Sequence, residues 1–283
     1  MMASPGETSR PMGFILIFRP GNCVMAAAAV LLAALICSSL ETMADRALEI
    51  GMSVVVVLAF VAGANTLNDY RDRELDKVAH PMRPVPLGII TPRAALTTAA
   101  VLLGTTLVLG WIISAWSFVI VITSLAVILA YELLLKSEGL VGNMAISWLT
   151  AALFLFGGAA VDGMELAWIL AALAFLASLG REIIKDIQDV GGDAVSRKTL
   201  PMRIGVRNAG VLASAVLATA VVLSPIPFLL SLVSAWYMPF VAVVDTVFIY
   251  GAMIHFADPE QGQKVIKLAM LTALLAFLLG GIA

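Results

Sequence analysis

Residues Asn65 to Gly88 read Asn-Thr-Leu-Asn-Asp-Tyr-Arg-Asp-Arg-Glu-Leu-Asp-Lys-Val-Ala-His-Pro-Met-Arg-Pro-Val-Pro-Leu-Gly, and an apolar run leads into them without a break. Three aspartates fall within eight residues. On a helix, Asp69, Asp72 and Asp76 stand at i, i+3 and i+7, so their carboxylates share one narrow face and repel. Something cationic must hold them there. A pair of hard divalent cations bridging to phosphate suits such a face, and a solvated helix end is the bland alternative.

The same pattern recurs, which argues against the bland reading. Residues 181–207 read Arg-Glu-Ile-Ile-Lys-Asp-Ile-Gln-Asp-Val-Gly-Gly-Asp-Ala-Val-Ser-Arg-Lys-Thr-Leu-Pro-Met-Arg-Ile-Gly-Val-Arg. A shift of 117 positions lays the first segment on the second without gaps: Asp69 on Asp186, Asp72 on Asp189, Asp76 on Asp193, Pro84 on Pro201, Gly88 on Gly205. This is an internal repeat four spans long, and it keeps both copies on one membrane face. The copies differ where Lys185 stands in place of Asn68. The Gly191-Gly192 pair is expected to break the second helix before Asp193, leaving that carboxylate on a loop.

Composition sets the environment. The 283 residues are 61% hydrophobic and 13% charged, with a mean hydropathy of +1.02. Such a chain cannot cover an apolar core with polar surface, so it is a membrane protein. Windows of about 20 apolar residues fall near 22–40, 48–67, 95–113, 116–135, 142–160, 166–180, 208–224, 236–254 and 265–282. Pro225 and Pro227 mark the turn between the seventh and eighth windows. The stretch before the first window is polar, which favours a true first span over a cleaved signal peptide. Cys23 and Cys37 lie too far apart along that span to pair.

With nine spans, all Lys and Arg residues except Arg46 share one side. That asymmetry predicts a cytoplasmic N-terminus and an outer C-terminus. The expected fold is therefore all-α: one polytopic membrane bundle over residues 1–283, nine transmembrane helices, two related halves. Its paired segments, 65–93 and 181–207, are both cytoplasmic. Nothing in the chain implies a nucleic-acid or protein partner.

Asn68-Asp-x-x-Asp-x-x-x-Asp followed by Pro-x-Arg-Pro, with the second Asp-x-x-x-Asp segment, resembles the UbiA-type intramembrane prenyltransferases over nearly the whole chain. Gly180-Arg-Glu-Ile-Ile-Lys-Asp-Ile-Gln-Asp-Val-Gly-Gly-Asp193 is similar to the branch that makes digeranylgeranylglyceryl phosphate. So are Tyr131-Glu-Leu-Leu-Leu-Lys136 and Gly142-Asn143. The resemblance implies Mg²⁺, as two ions, held by Asn68, Asp72, Asp76, Asp189 and Asp193, with Asp69 and Asp186 supporting them. It implies a polyprenyl diphosphate donor and a lipid-like phosphorylated acceptor whose hydroxyl attacks the allylic carbon. Arg83, Lys136, Lys185 and Lys198 suit the anionic oxygens that the metals leave free. Asn22 and Tyr131 are expected to line the site, and the isoprenoid tails to lie between apolar spans and in membrane lipid.

The remaining polar residues divide. Asp245, well inside a span, must find a partner or stay protonated, and a site role and an interhelical hydrogen bond stand level. Glu132, near a span end, reads as structural, as do the loop acids Asp162 and Glu165. His80 and His255 lack metal-ligand spacing. Two rival functions stay open: prenylation of an aromatic acceptor, and secondary transport. Against transport, the acids cluster at span ends on one face and the outer loops are nearly uncharged.

Overall fold

A computed structural model describes residues 10–193 and 199–282, with the side chains of 191–193 and 282 left aside. Within these residues every regular element is helical. In chain order they are α1 (Arg10–Phe18), α2 (Pro20–Ile36), α3 (Leu40–Asp45), α4 (Ala47–Arg71), α5 (Arg73–Ala79), α6 (Pro92–Ile113), α7 (Ala115–Ala130), a π-turn (Tyr131–Leu135), α8 (Leu140–Ala160), α9 (Met164–Asp193), α10 (Leu200–Ile204), α11 (Val206–Leu223), α12 (Ile226–Leu229), α13 (Tyr237–Ile254) and α14 (Pro259–Ile282). Eight stretches are long and apolar enough to cross a membrane singly, and the bent pair α1–α2 makes a ninth. The protein is a multi-pass membrane bundle.

The first span departs from expectation. It starts at Arg10 instead of near residue 22, and it bends by 46°. The bend is at Arg19, which has φ 52° and ψ 71°. Pro20 disfavours a helical residue before it, so the chain must leave the α region there. A left-handed non-glycine residue costs about 1–2 kcal/mol, so Arg19 needs compensating contacts. Helix α1 then packs Ile17 against Val85, Ile90 and Ala95, beneath the first motif segment.

The two motif segments are more helical than their charge suggested. Helix α9 has 30 residues, about 45 Å at 1.5 Å per residue. That exceeds the roughly 30 Å hydrocarbon core, so its last turns project beyond it and carry Asp186 and Asp189. The expected break at Gly191-Gly192 does not occur: the helix runs on to Asp193. Two glycines cost about 2 kcal/mol of helix propensity, and the continuing backbone ladder outweighs that. Elsewhere the copies agree. Gly88 and Gly205, matched by the repeat, have φ +75° and +86°, with open space where a Cβ would stand. Backbone conformation, not crowding, asks for glycine at both.

Helix α8 lies at the centre, packed on α2, α7 and α9. Lipid tails are as apolar as leucine, so helices in a membrane associate by close packing of small residues. Gly157 is one such point: a Cβ there would stand 2.5 Å from the Val30 carbonyl oxygen and 2.6 Å from Ala33 Cβ. Gly157→Val should therefore lower stability by about 1–3 kcal/mol, read as a lower melting temperature in detergent, while Gly104→Val, facing open space, should not.

The outward surface carries exposed Val55, Val222 and Met253, as a lipid-facing surface should. At the end of the bundle opposite the motifs, Arg46 pairs with Asp162. Trp111, Trp116 and Trp236 are exposed there, where aromatic belts form.

Candidate active site

The motif end of the bundle gathers helix termini. Asn68 and Asp69 lie on the last turn of α4, Asp72 at the α4–α5 junction, Asp76 on α5, and Arg83 in the turn beyond. Asp72 adopts φ −84° and ψ 1°, so the single face expected for Asp69, Asp72 and Asp76 is interrupted. Asp69 and Asp76 turn one way and Asp72 the other.

Side-chain cations hold the three carboxylates apart. Arg83 lies 2.7 Å from Asp76 and 3.6 Å from Asp69. Arg19 reaches Asp69 at 2.5 Å and donates to Asn68 Oδ1 at 3.4 Å. Asp69 and Asp76 are only 2% and 3% exposed, and buried carboxylates require such partners. Asp72 instead meets Lys136 at 2.6 Å, and Lys136 meets Glu132 at 3.2 Å. Glu132 also accepts from Asn68 Nδ2 at 2.9 Å.

The second motif segment borders a cavity of about 60 Å³, whose facing wall is the π-turn, Lys136 and the start of α8. Tyr131, Lys136, Asn143, Lys185, Asp186 and Thr199 line it. Asn143 donates to Asp186 at 2.8 Å, and Glu182 holds Arg181 at 2.7 Å and Lys185 at 3.7 Å. Lys136 thus belongs to both halves: it pairs with Asp72 and lines the cavity beside Asp186.

Of the sequence-predicted residues, Asn68, Asp69, Asp72, Asp76, Arg83 and Lys136 form one network, while Tyr131, Lys185 and Asp186 join it through the cavity. Asp189 is half-buried, and among the described residues it makes no side-chain hydrogen bond or ion pair. Asn22 is exposed on α2 and likewise makes no side-chain hydrogen bond there. Lys198 and the Asp193 side chain lie outside the described residues. The sequence alone gives Arg19 and Glu182 no site role, brings in Asn143 only through the Gly142-Asn143 resemblance, and reads Glu132 as structural. An ionisable residue within a span is a functional candidate by default, and that signal was present for Glu132.

Asp245 accepts from Ser224 Oγ at 2.7 Å, and Tyr237 Oη donates to the Ser224 carbonyl at 2.9 Å. This ties α11 to α13, the structural option for Asp245. Asp245 also borders an apolar cavity of about 190 Å³ among α2, α8, α9, α11, α13 and α14.

The candidate metal ligands, Asn68, Asp72, Asp76, Asp189 and Asp193, are all oxygen donors, which selects hard cations. Among the described residues no three acidic, histidine or cysteine side chains form a metal cage. Mg²⁺ does not need one: it takes one or two carboxylates and completes its shell with water and substrate phosphate.

Comparison with known proteins agrees with this geometry. The model of the UbiA prenyltransferase family matches residues 22–278. The digeranylgeranylglyceryl phosphate synthase of Natronomonas pharaonis is 35% identical over 276 residues, covering 97% of this chain and 98% of that protein. That of Methanothrix thermoacetophila is 38% identical over 271 residues, covering 95% and 99%. A solved digeranylgeranylglyceryl phosphate synthase superposes with a TM-score of 0.88 at 30% identity, over 96% of this chain and 99% of that one. A UbiA homologue from Archaeoglobus fulgidus, solved with GPP and Mg²⁺, shares the fold at 16% identity and a TM-score of 0.61, over 94% and 99%. With a family match over most of its length and full-length relatives above 30% identity, this chain belongs to the UbiA prenyltransferase family.

Proposed function

We propose that the protein is a Mg²⁺-dependent geranylgeranyltransferase that joins a polyprenyl diphosphate donor to the hydroxyl of geranylgeranylglyceryl phosphate, a step of archaeal-type ether-lipid synthesis. The observation that carries this reading is the meeting of both motif halves at Lys136, in a chain whose full-length relatives are named for this product. The motif face is cytoplasmic by the distribution of basic residues.

The residues support the chemistry in order. Mg²⁺, when bound, neutralises the departing diphosphate, and Asn68, Asp72, Asp76, Asp189 and Asp193 are the residues to hold it. Asp72 and Asp189 are the half-open carboxylates of that set. Asp76 is buried against Arg83 and would exchange that partner in order to ligate. Lys136 and Lys185 grip phosphate oxygens from the cavity wall, lowering the barrier to breaking the allylic C–O bond. The acceptor hydroxyl then forms the ether bond to that carbon and passes its proton to the released diphosphate. The apolar cavity that Asp245 borders suits an isoprenoid tail, and apolar walls keep water from the allylic carbon. The second phosphate, on the acceptor, favours this basic site over an aromatic acid as acceptor.

Purified protein with labelled geranylgeranyl diphosphate and Mg²⁺ should label geranylgeranylglyceryl phosphate and not an aromatic acid. EDTA should abolish the product and added Mg²⁺ restore it. Transfer to the aromatic acid alone would move the assignment to the quinone-type branch.

A further inference from the structure

In the π-turn Tyr131–Leu135, the amide of Lys136 bonds the carbonyl of Tyr131 at 3.0 Å. Five residues along an α-helix make nearly one and a half turns and would face opposite ways. The i→i+5 bond stacks Lys136 over Tyr131 instead, so both line the cavity that the second motif segment borders. Leu133 and Leu134 point outward and are exposed, while Glu132 is left inside, 5% exposed.

Both hydrogen-bond partners of Glu132 are site residues: Asn68 Nδ2 at 2.9 Å and Lys136 Nζ at 3.2 Å. The other end of the Asn68 amide, Oδ1, faces the Arg19 guanidinium at 3.4 Å. Flipping that amide would set its NH₂ against a guanidinium and its oxygen against a carboxylate, unfavourable at both ends. The orientation of Asn68 is therefore set from two sides.

We propose that Glu132 is a positioning residue for the transfer reaction: its carboxylate fixes the Asn68 amide with Oδ1 turned away from it, where a hard cation would take over from the long Arg19 contact, and tethers Lys136 beside Asp72. This rests on the prenyl-transfer reading above. Removing the carboxylate releases the amide, so a ligand that must point one way samples both. Glutamine keeps an oxygen for Asn68 Nδ2 but loses the charge that restrains Lys136.

The two variants separate these roles. Mn²⁺ binding in the presence of inorganic diphosphate, followed by EPR, should weaken about 10–100-fold in Glu132→Ala, the usual range for an outer residue that orients a ligand. In Glu132→Gln it should stay within about threefold, while the KM for the donor rises about tenfold. Placed on Asn68→Ala, Glu132→Ala should weaken Mn²⁺ binding no further, because its effect runs through that amide. A folded Glu132→Ala with wild-type Mn²⁺ affinity overturns the proposal. Should that variant not fold, an unchanged donor KM in Glu132→Gln overturns it equally. Wild-type protein that binds no Mn²⁺ with diphosphate would remove the prenyl-transfer reading itself, and the proposal with it.

Discussion

Asp72→Ala should reduce prenyl transfer by about 10²–10³-fold in kcat while leaving the bundle folded. Asp72 stands where the halves of the site meet, its carboxylate 2.6 Å from Lys136 at the α4–α5 junction. Its side chain is 17% exposed, so truncation leaves no sealed cavity. Lys136 keeps Glu132 at 3.2 Å, so no cation is orphaned. The loss should therefore fall on the chemical step, and melting temperature in detergent should hold close to that of the parent. Single-turnover transfer measured alongside thermal unfolding checks both. A folded Asp72→Ala that transfers at the parental rate would show that this carboxylate neither ligates metal nor positions Lys136.

Arg83→Ala should act the other way, through stability first. Arg83 is the only ion-pair partner of Asp76 among the described residues, and it also lies near Asp69. Both carboxylates are almost wholly buried. Removing one partner from a buried pair costs about 3–5 kcal/mol, because the remaining charge stays desolvated. The variant should accumulate poorly or melt well below the parent. Adding Asp76→Asn removes the orphaned charge and should recover most of that stability, a coupling that a double-mutant cycle reads directly. Activity should not return with it, since the double variant still lacks a candidate ligand. If Arg83→Ala melts like the parent, the buried pairing does not hold α5 in place.

How the molecule was legible in its sequence follows from the range of the forces involved. The span count was readable because crossing a membrane depends on apolar length alone, and each helix satisfies its own backbone. The nine windows reappear as eight single helices and the bent α1–α2 pair. The pairing of motif segments was readable because the repeat keeps charge and glycine in register, and Gly88 and Gly205 do share a positive φ. Local geometry was less secure: the glycine pair in α9 reads as a break, yet the helix continues to Asp193.

The sequence by itself thus determined an all-helical membrane bundle, with its acidic segments at the ends of paired spans and a chemistry of oxygen ligands beside basic side chains. Only the tertiary structure decided which cation meets which carboxylate. Arg19 reaches Asp69 across 50 positions and Lys136 reaches Asp72 across 64. Those pairings depend on the bend at Arg19, the i→i+5 turn after α7, and the packing of α1, α2 and that turn on α4. Hydropathy sums along the chain and needs no neighbour, whereas a buried ion pair exists only once packing has brought its two ends together.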